Sequence, residues 1–203
     1  MSNPPADDFT RSTSEPSDPR ALGAGKLGMA IFLISLSVLF AGSLAGYLII
    51  RFRAQSWRGA DMPPLPTGLW LSTVMLIACS VAIHLALVKT RKDQPHAARR
   101  ALVVGFALGL AFLINQALNW MSLAEAQLGP TARSLYAFTF YMLTGLHAAH
   151  VVGGLIQLSV VTTRAFRGRY SAAVHPGVTY AAMYWHFLDV VWLVMFFVML
   201  MLS

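Results

Sequence analysis

The chain has 203 residues, of which 57% are hydrophobic and only 11% are charged. A soluble domain carries about a quarter charged residues, so the composition excludes an ordinary soluble protein and indicates an integral membrane protein. A formal charge of +7 would suggest a nucleic-acid partner in a soluble chain, but basic cytoplasmic loops explain it better here. No nucleic-acid partner is therefore predicted. The single cysteine, Cys79, excludes an intrachain disulfide.

The N-terminal residues 1–25 are polar and contain four prolines. Such a segment cannot bury enough apolar surface to fold, so a disordered cytoplasmic tail is predicted. The tail lacks the basic start and the cleavage site of a signal peptide. The first apolar segment is therefore expected to remain as an anchor. Residues 26–203 are predicted to form one membrane domain.

Five apolar segments follow the tail, and each is long enough to cross roughly 30 Å of hydrocarbon. They cover about 27–50, 67–88, 101–121, 135–163 and 178–202. Lipid offers no hydrogen bonds to the backbone, so each segment must satisfy its own peptide groups as a helix. The alternating ten-residue strands of an outer-membrane barrel are not seen in the sequence. The predicted fold is an all-α integral membrane bundle of five transmembrane helices.

The distribution of lysine and arginine predicts the orientation of these helices. The tail and the second and fourth loops hold eleven of these residues, whereas the first and third loops hold four and the C-terminus none. Cytoplasmic loops carry the excess of positive charge. The N-terminus is therefore predicted in the cytoplasm and the C-terminus outside.

Ionisable side chains occur in pairs within the last two apolar segments. His147 and His150 lie three residues apart in the fourth, and His186 and Asp189 lie three apart in the fifth. Residues three apart share one face of a helix. Ionisable groups in a membrane are costly and usually face a partner in the bundle interior. A contact between the two pairs, joining helices four and five, is therefore predicted.

Three interpretations of these four residues remain open from the residues alone. The first is a structural clasp of hydrogen bonds between helices. The second is a site for lipid or for protons. The third is a metal or haem site, since three histidines and an aspartate would suit zinc in ligand type.

Small residues and one further histidine give weaker signals. Gly42 and Gly46 lie four residues apart, as do Gly105 and Gly109. Small residues at this spacing are typical of close helix packing in membranes. His84 lies near the cytoplasmic end of the second segment, where its side chain is expected to reach towards the interface.

A basic cluster follows the fourth segment. Arg164, Arg167 and Arg169 lie where this helix meets the cytoplasmic leaflet, and His175 precedes the fifth segment. Basic groups there attract lipid phosphates, and arginine can bind phosphate through two parallel hydrogen bonds. These residues are predicted to bind lipid headgroups. The alternative is that they serve only as topology signals.

Two motifs together resemble a known family. TGLHAAHVVGG at residues 144–154 is followed by HPG at 175–177 and by YWHFLDVVW at 184–192. The chain strongly resembles subunit III of the haem–copper oxidases, in which a glycine- and histidine-rich helix precedes a final helix carrying this last motif. The resemblance covers residues 26–202 and fits the five-helix bacterial form.

The resemblance implies an accessory subunit of a respiratory oxidase in the bacterial inner membrane. Such a subunit carries no haem, copper or other cofactor and packs on the catalytic subunit I, together with subunit II. It also holds phospholipid in a cleft between its helices and supports proton uptake and stability during turnover. By this resemblance, His147, His150, His186 and Asp189 would be a polar seam or lipid cleft rather than catalytic or metal-binding residues.

Three positions differ from the family pattern, and they leave alternatives open. Leu36, Asn119 and Thr179 stand where the family usually has glutamate. These changes suggest a divergent branch, such as the subunit-III-like proteins associated with nitric oxide reductases. An alternative of another class is a small proton-coupled transporter, with Asp189 as its coupling acid.

Overall fold

The computed structural model describes residues 19–54, 57, 66–128 and 134–202. Within these ranges the chain forms five α-helices and no strand, and each helix is long and apolar enough to cross a membrane. The predicted all-α membrane bundle is therefore confirmed. The helices are α1 (Pro19–Arg53), α2 (Gly68–Arg91), α3 (Pro95–Leu123), α4 (Leu135–Phe166) and α5 (Pro176–Leu202).

Two helices begin earlier than the hydropathy pattern predicts. Helix α1 begins at Pro19, so residues 19–25 belong to the first helix, and only residues 1–18 of the predicted tail lie outside the described part. Helix α3 begins at Pro95, six residues before the apolar segment. Proline suits the first turn of a helix because its fixed φ is helical and its missing N–H has no intrahelical partner there.

The connections differ in how much of them is described. Three residues join α2 to α3, and Asp93 turns the chain with a φ of 52°. A π-helical turn, Ala124–Leu128, extends α3. Helix α4 is capped by Ser134, whose hydroxyl accepts from the Ala137 amide at 3.3 Å. The predicted breaks at Arg58, at Pro63 and Pro64, and at Gly129 and Pro130 lie outside the described residues.

Helices α2, α3, α4 and α5 form a closed ring of neighbours, and α1 packs on the outside against α5 and α4. The centre of this ring is aromatic, since Trp185, Trp192 and Phe112 are its largest fully buried side chains. The Trp192 indole donates a hydrogen bond to the Thr73 hydroxyl on α2 at 3.0 Å. The buried indole N–H therefore has a partner, and α5 is joined to α2.

Glycines on α3 allow this close approach. A Cβ at Gly105 would lie 2.9 Å from the Ile83 side chain, and one at Gly109 would lie 2.8 Å from the Trp185 ring. Close packing through this pair is confirmed. The other pair differs, because a Cβ at Gly42 or Gly46 would meet no atom of the described residues within 4 Å. Gly42 and Gly46 therefore do not pack against the described part of the chain.

One end of α1 is joined to the end of α5. The Arg51 side chain donates through Nε to the Leu202 carbonyl at 2.8 Å, and its guanidinium lies 5.2 Å from the centre of the Trp57 ring. Trp57 in turn packs edge-on against Tyr47 and Tyr136. A cation and an aromatic cluster thus fix the peripheral helix at this end.

Replacing Gly109 by leucine should destabilise the bundle, because the new side chain would overlap Trp185, which is fully buried. Overpacking of this kind typically costs about 1–3 kcal/mol. Gly42→Leu is the matched control, since that position is open. Thermal unfolding of the purified chain in detergent should show a lower midpoint for G109L than for G42L. Equal midpoints would contradict the packing described here.

Candidate functional site

The polar pair on α5 faces α2. His186 Nδ1 lies 2.7 Å from the Ser80 hydroxyl, and His186 Nε2 lies 3.4 Å from His84 Nδ1. The Asp189 carboxyl lies beside the same serine and His186, and its Oδ1 has no hydrogen-bond partner among the described residues. These four residues, Ser80, His84, His186 and Asp189, are called the α2–α5 polar cluster below.

The predicted contact between the pair on α5 and the pair on α4 is therefore wrong. The side of α5 that meets the bundle interior is occupied by Trp185, Leu188 and Trp192, all fully buried. These large side chains fill the space that a direct contact between His147 and Asp189 would need. The polar pair is turned towards α2 instead, where the Ser80 hydroxyl supplies a hydrogen bond.

The two histidines on α4 have different surroundings. His147 is fully buried among aromatic rings, with ring centres 5.1 Å from Trp192, 5.7 Å from Phe112 and 6.3 Å from Phe40. Neither of its ring nitrogens has a hydrogen-bond partner among the described residues. His150 is partly buried, and its Nδ1 lies 2.7 Å from the Leu146 carbonyl of its own helix.

Sequence reasoning missed Ser80 and assigned His84 only an interfacial position. A signal for both was present in the sequence. Ser80 and His84 are four residues apart on one helical face, and His84 lies seven residues before the end of α2, about 10 Å along the axis. His186 lies ten residues from the start of α5, about 15 Å along that axis. Since the two helices are antiparallel, these similar depths would have predicted that His84 and Ser80 lie opposite His186.

The polar residues do not form a metal site in the described part of the chain. No group of three or more histidine, cysteine, aspartate or glutamate side chains is placed there to hold a metal ion. Cys79, next to the α2–α5 polar cluster, is buried, and its thiol donates to the Gly105 carbonyl at 3.1 Å. Its role is to pack α2 against α3.

The basic residues gather at one end of the bundle, where α1, α3 and α5 begin. Arg164, Arg167 and Arg169 are exposed there, whereas His175 is partly buried. His175 lines a cavity of about 140 Å³. The other residues around this cavity are Lys26, Arg91, Ala173, Pro176, Thr179 and Tyr180.

The lining of this cavity includes His175 but not Arg164, Arg167 or Arg169, with which the sequence analysis grouped it. It groups His175 instead with Lys26 and Arg91, which the sequence identified only as topology charges. Tyr170 in the α4–α5 loop lies near Arg164. Burial raises the pKa of the Tyr170 hydroxyl, and the Arg164 charge offsets part of that rise. The Tyr170 hydroxyl accordingly stays protonated at neutral pH.

Comparison with known proteins agrees with this arrangement of helices and motifs. The family described as "Cytochrome c oxidase subunit III" matches residues 15–203. The chain belongs to the cytochrome c oxidase subunit III family. The match includes all five helices and both histidine motifs, so family membership applies to the whole membrane domain.

Curated relatives of the subunit III family cover most of the chain. The chain is 34% identical over 183 residues to cytochrome c oxidase subunit 3 of Thermostichus vulcanus, covering 87% of each protein. It is 33% identical to the subunit 3 of a Synechocystis strain, covering 86% of this chain and 74% of that protein. It is 31% identical to a probable subunit 3 of Mycobacterium bovis, covering 84% of each.

Removing the Ser80 hydroxyl should weaken the contact between α2 and α5. Ser80→Ala leaves His186 without its 2.7 Å partner, and an interhelical hydrogen bond in a membrane protein is worth about 1 kcal/mol. Ser35→Ala is the matched control, because the Ser35 hydroxyl bonds only to the Ile31 carbonyl of its own helix. The midpoint of thermal unfolding in detergent should fall for S80A and stay unchanged for S35A. No difference between the two variants would mean that the bond contributes nothing to packing.

Proposed function

We propose that this chain is the accessory subunit III of a bacterial haem–copper oxidase and packs on the catalytic subunit I, with subunit II in the same complex. The observation that carries this proposal is the family match over residues 15–203, which spans all five helices. Relatives named as subunit 3 of cytochrome c oxidase support it, because they align with more than four fifths of the chain. Electron transport to oxygen is the activity of the whole complex.

The redox centres of this complex are proposed to lie in the partner subunits, with no cofactor in this chain. The surroundings of its histidines support this. His147 is enclosed by three aromatic rings, His150 has one ring nitrogen against a backbone carbonyl, and His186 has both of its nitrogens against neighbouring side chains. Haem iron is ligated by an imidazole nitrogen that reaches the metal directly, which the enclosed ring of His147 and the two occupied nitrogens of His186 do not favour.

Phospholipid is proposed to bind at the basic end of the bundle. The 140 Å³ cavity brings Lys26, Arg91 and His175 together beside the start of α5. The positive end of the helix dipole and two fixed cations favour a negatively charged group. The hydroxyls of Thr179 and Tyr180 also line the cavity and can donate hydrogen bonds to a phosphate.

The membrane is proposed to be the bacterial plasma membrane, with the basic end in the cytoplasm. The lysines and arginines near the starts of α1, α3 and α5 support this orientation, since cytoplasmic ends carry the excess of positive charge. The stability of the complex during turnover and its proton uptake are the properties that such a subunit would support.

The assembled complex should be recovered through this chain. An affinity tag on the C-terminus, used after mild detergent extraction of the native host, should co-purify a haem-containing subunit with a Soret absorption band. After dissociation and separation, this chain should show no Soret band and no stoichiometric copper, iron or zinc. The separated chain provides the internal control for cofactor content.

Two results would contradict the proposal. One metal ion per separated chain that survives chelation would show a cofactor site in this subunit. Recovery of the chain alone, with proton-coupled uptake that Asp189→Leu abolishes, would establish the transporter alternative. Turnover of the recovered complex with oxygen, compared with nitric oxide, distinguishes an oxidase from a complex of the nitric oxide reductase type.

Removing the cavity cations should release bound phospholipid from the complex. The double variant Lys26→Gln and Arg91→Gln removes two charges from the cavity, whereas Arg167→Gln with Arg169→Gln removes two exposed charges outside it. Native mass spectrometry should show fewer retained phospholipids for the first variant only. If the arginine pair releases lipid and the cavity pair does not, the headgroup site lies at the arginines instead.

A further inference from the structure

Two ionisable side chains of the α2–α5 polar cluster lie on the outside of this chain at membrane depth. His84 and His186 are both exposed, although each lies well inside its apolar helix. Intramembrane ionisable groups almost always face a bundle interior or a water-filled cavity. An exposed histidine pair at this depth therefore indicates that this side of the chain is an interior surface of a larger assembly.

The histidines sit within a continuous apolar stripe on the two helices. On α2 the exposed residues recur every three or four positions, and on α5 they follow His186 at the same spacing. We call the surface made by these two rows the α2–α5 face. Its members are Trp70, Val74, Ile77, Val81 and His84 on α2, and His186, Val190, Leu193 and Phe197 on α5.

The hydrogen bonds of the polar cluster leave one ring nitrogen without a partner. His186 Nδ1 lies 2.7 Å from the Ser80 hydroxyl, and His186 Nε2 lies 3.4 Å from His84 Nδ1. A neutral imidazole has one donor nitrogen and one acceptor nitrogen, so this chain of bonds can run in either direction. In both directions it ends at His84 Nε2, which has no hydrogen-bond partner among the described residues.

We propose that the α2–α5 face is the surface on which a transmembrane helix of another oxidase subunit docks, and that this helix forms a hydrogen bond with His84 Nε2. The partner group would be a hydroxyl or an amide, since these uncharged groups can both donate and accept hydrogen bonds. The inference rests on the proposed function, because it requires a membrane-spanning partner subunit, and it specifies the docking face of that partner.

Two other occupants fit this chemistry less well. A second copy related by a twofold axis presents the same residues, so it would place two identical His84 nitrogens, both donors or both acceptors, near each other. A lipid headgroup lies at the interface, and His84 is seven residues inside the end of α2, about 10 Å deeper. Acyl chains at that depth offer no hydrogen-bond donor or acceptor.

The first experiment maps the neighbours of this face in the intact complex. A photo-crosslinking amino acid at Val81, beside His84 on the exposed side of α2, is compared with one at Val152 on the exposed side of α4. Irradiation of the complex in native membranes should join Val81 to a haem-containing subunit, identified by mass spectrometry. Crosslinks from Val81 only to lipid, or only to a second copy of this chain, would overturn the proposal.

The second experiment measures how His84→Leu changes retention of the haem subunit. The expected change has opposite signs for a histidine that faces lipid and for one at a subunit interface. If lipid covers His84, His84→Leu removes a costly polar group, so the complex should retain its haem subunit unchanged or better. If a partner helix forms a hydrogen bond with His84, H84L should weaken that retention about five-fold on dilution, which corresponds to the loss of one interhelical hydrogen bond. His84→Gln, whose amide can both donate and accept, should restore most of the retention.

The outcomes separate this inference from the proposed function. Unchanged retention for H84L, in a complex that still co-purifies with haem, rejects the docking face and leaves the assignment as subunit III intact. Recovery of the wild-type chain without any haem subunit rejects the proposed function itself. Thermal unfolding of the H84L chain in detergent shows whether the variant folds, so that loss of retention is not confused with loss of structure.

Discussion

The absence of water within the hydrocarbon is the constraint on which the arrangement of this bundle depends. Each polar side chain in a helix must find a partner in the protein or be covered by another surface. Asn115 meets this constraint by donating to the Gly68 carbonyl and to the Ser72 hydroxyl across the α2–α3 contact. Ser80 and Thr73 join α2 to α5 in the same way. Polar contacts of this kind join particular helix faces, and apolar packing fills the remaining space.

The same constraint gives different results for the two histidine motifs. His147 is covered completely by aromatic rings, which makes it part of the core and shields it from any ligand. His186 and His84 are left at the surface with hydrogen bonds to one another. One motif thus lies in the core of the subunit, whereas the other lies on the outside of the chain. A family motif with two histidine-bearing helices need not form one site.

The positions at which the family usually has glutamate also have a structural account. Leu36 is buried in the core, where an ionised carboxylate would be costly without a partner. Asn119 is buried next to Gly68, where a Cβ on that glycine would overlap the amide oxygen. The Thr179 hydroxyl bonds to the His175 carbonyl in the first turn of α5. Neutral side chains at these three places fit the packing without buried charge.

The sequence alone determined the class of protein, the number of helices and the family. These follow from local properties, namely the length of each apolar segment and the chemistry of residues adjacent along one helix. The bounds of α4 and α5 agree with the predicted segments to within three residues. The earlier starts of α1 and α3 were not predicted, because the predicted bounds follow the apolar segments. Polar residues can continue a helix beyond the hydrocarbon, where hydropathy does not mark its end.

Only the tertiary structure decided which faces meet. The sequence placed His147 and His150 on one side of a helix and His186 and Asp189 on one side of another, but it could not give the rotation of either helix about its axis. That rotation is set by the whole set of packed side chains, and here the buried Trp185 and Trp192 take the interior side of α5. His186 consequently bonds to Ser80 on α2, and His175 meets Lys26 and Arg91 across three helix ends. Contacts of this kind depend on rotations that no single segment specifies.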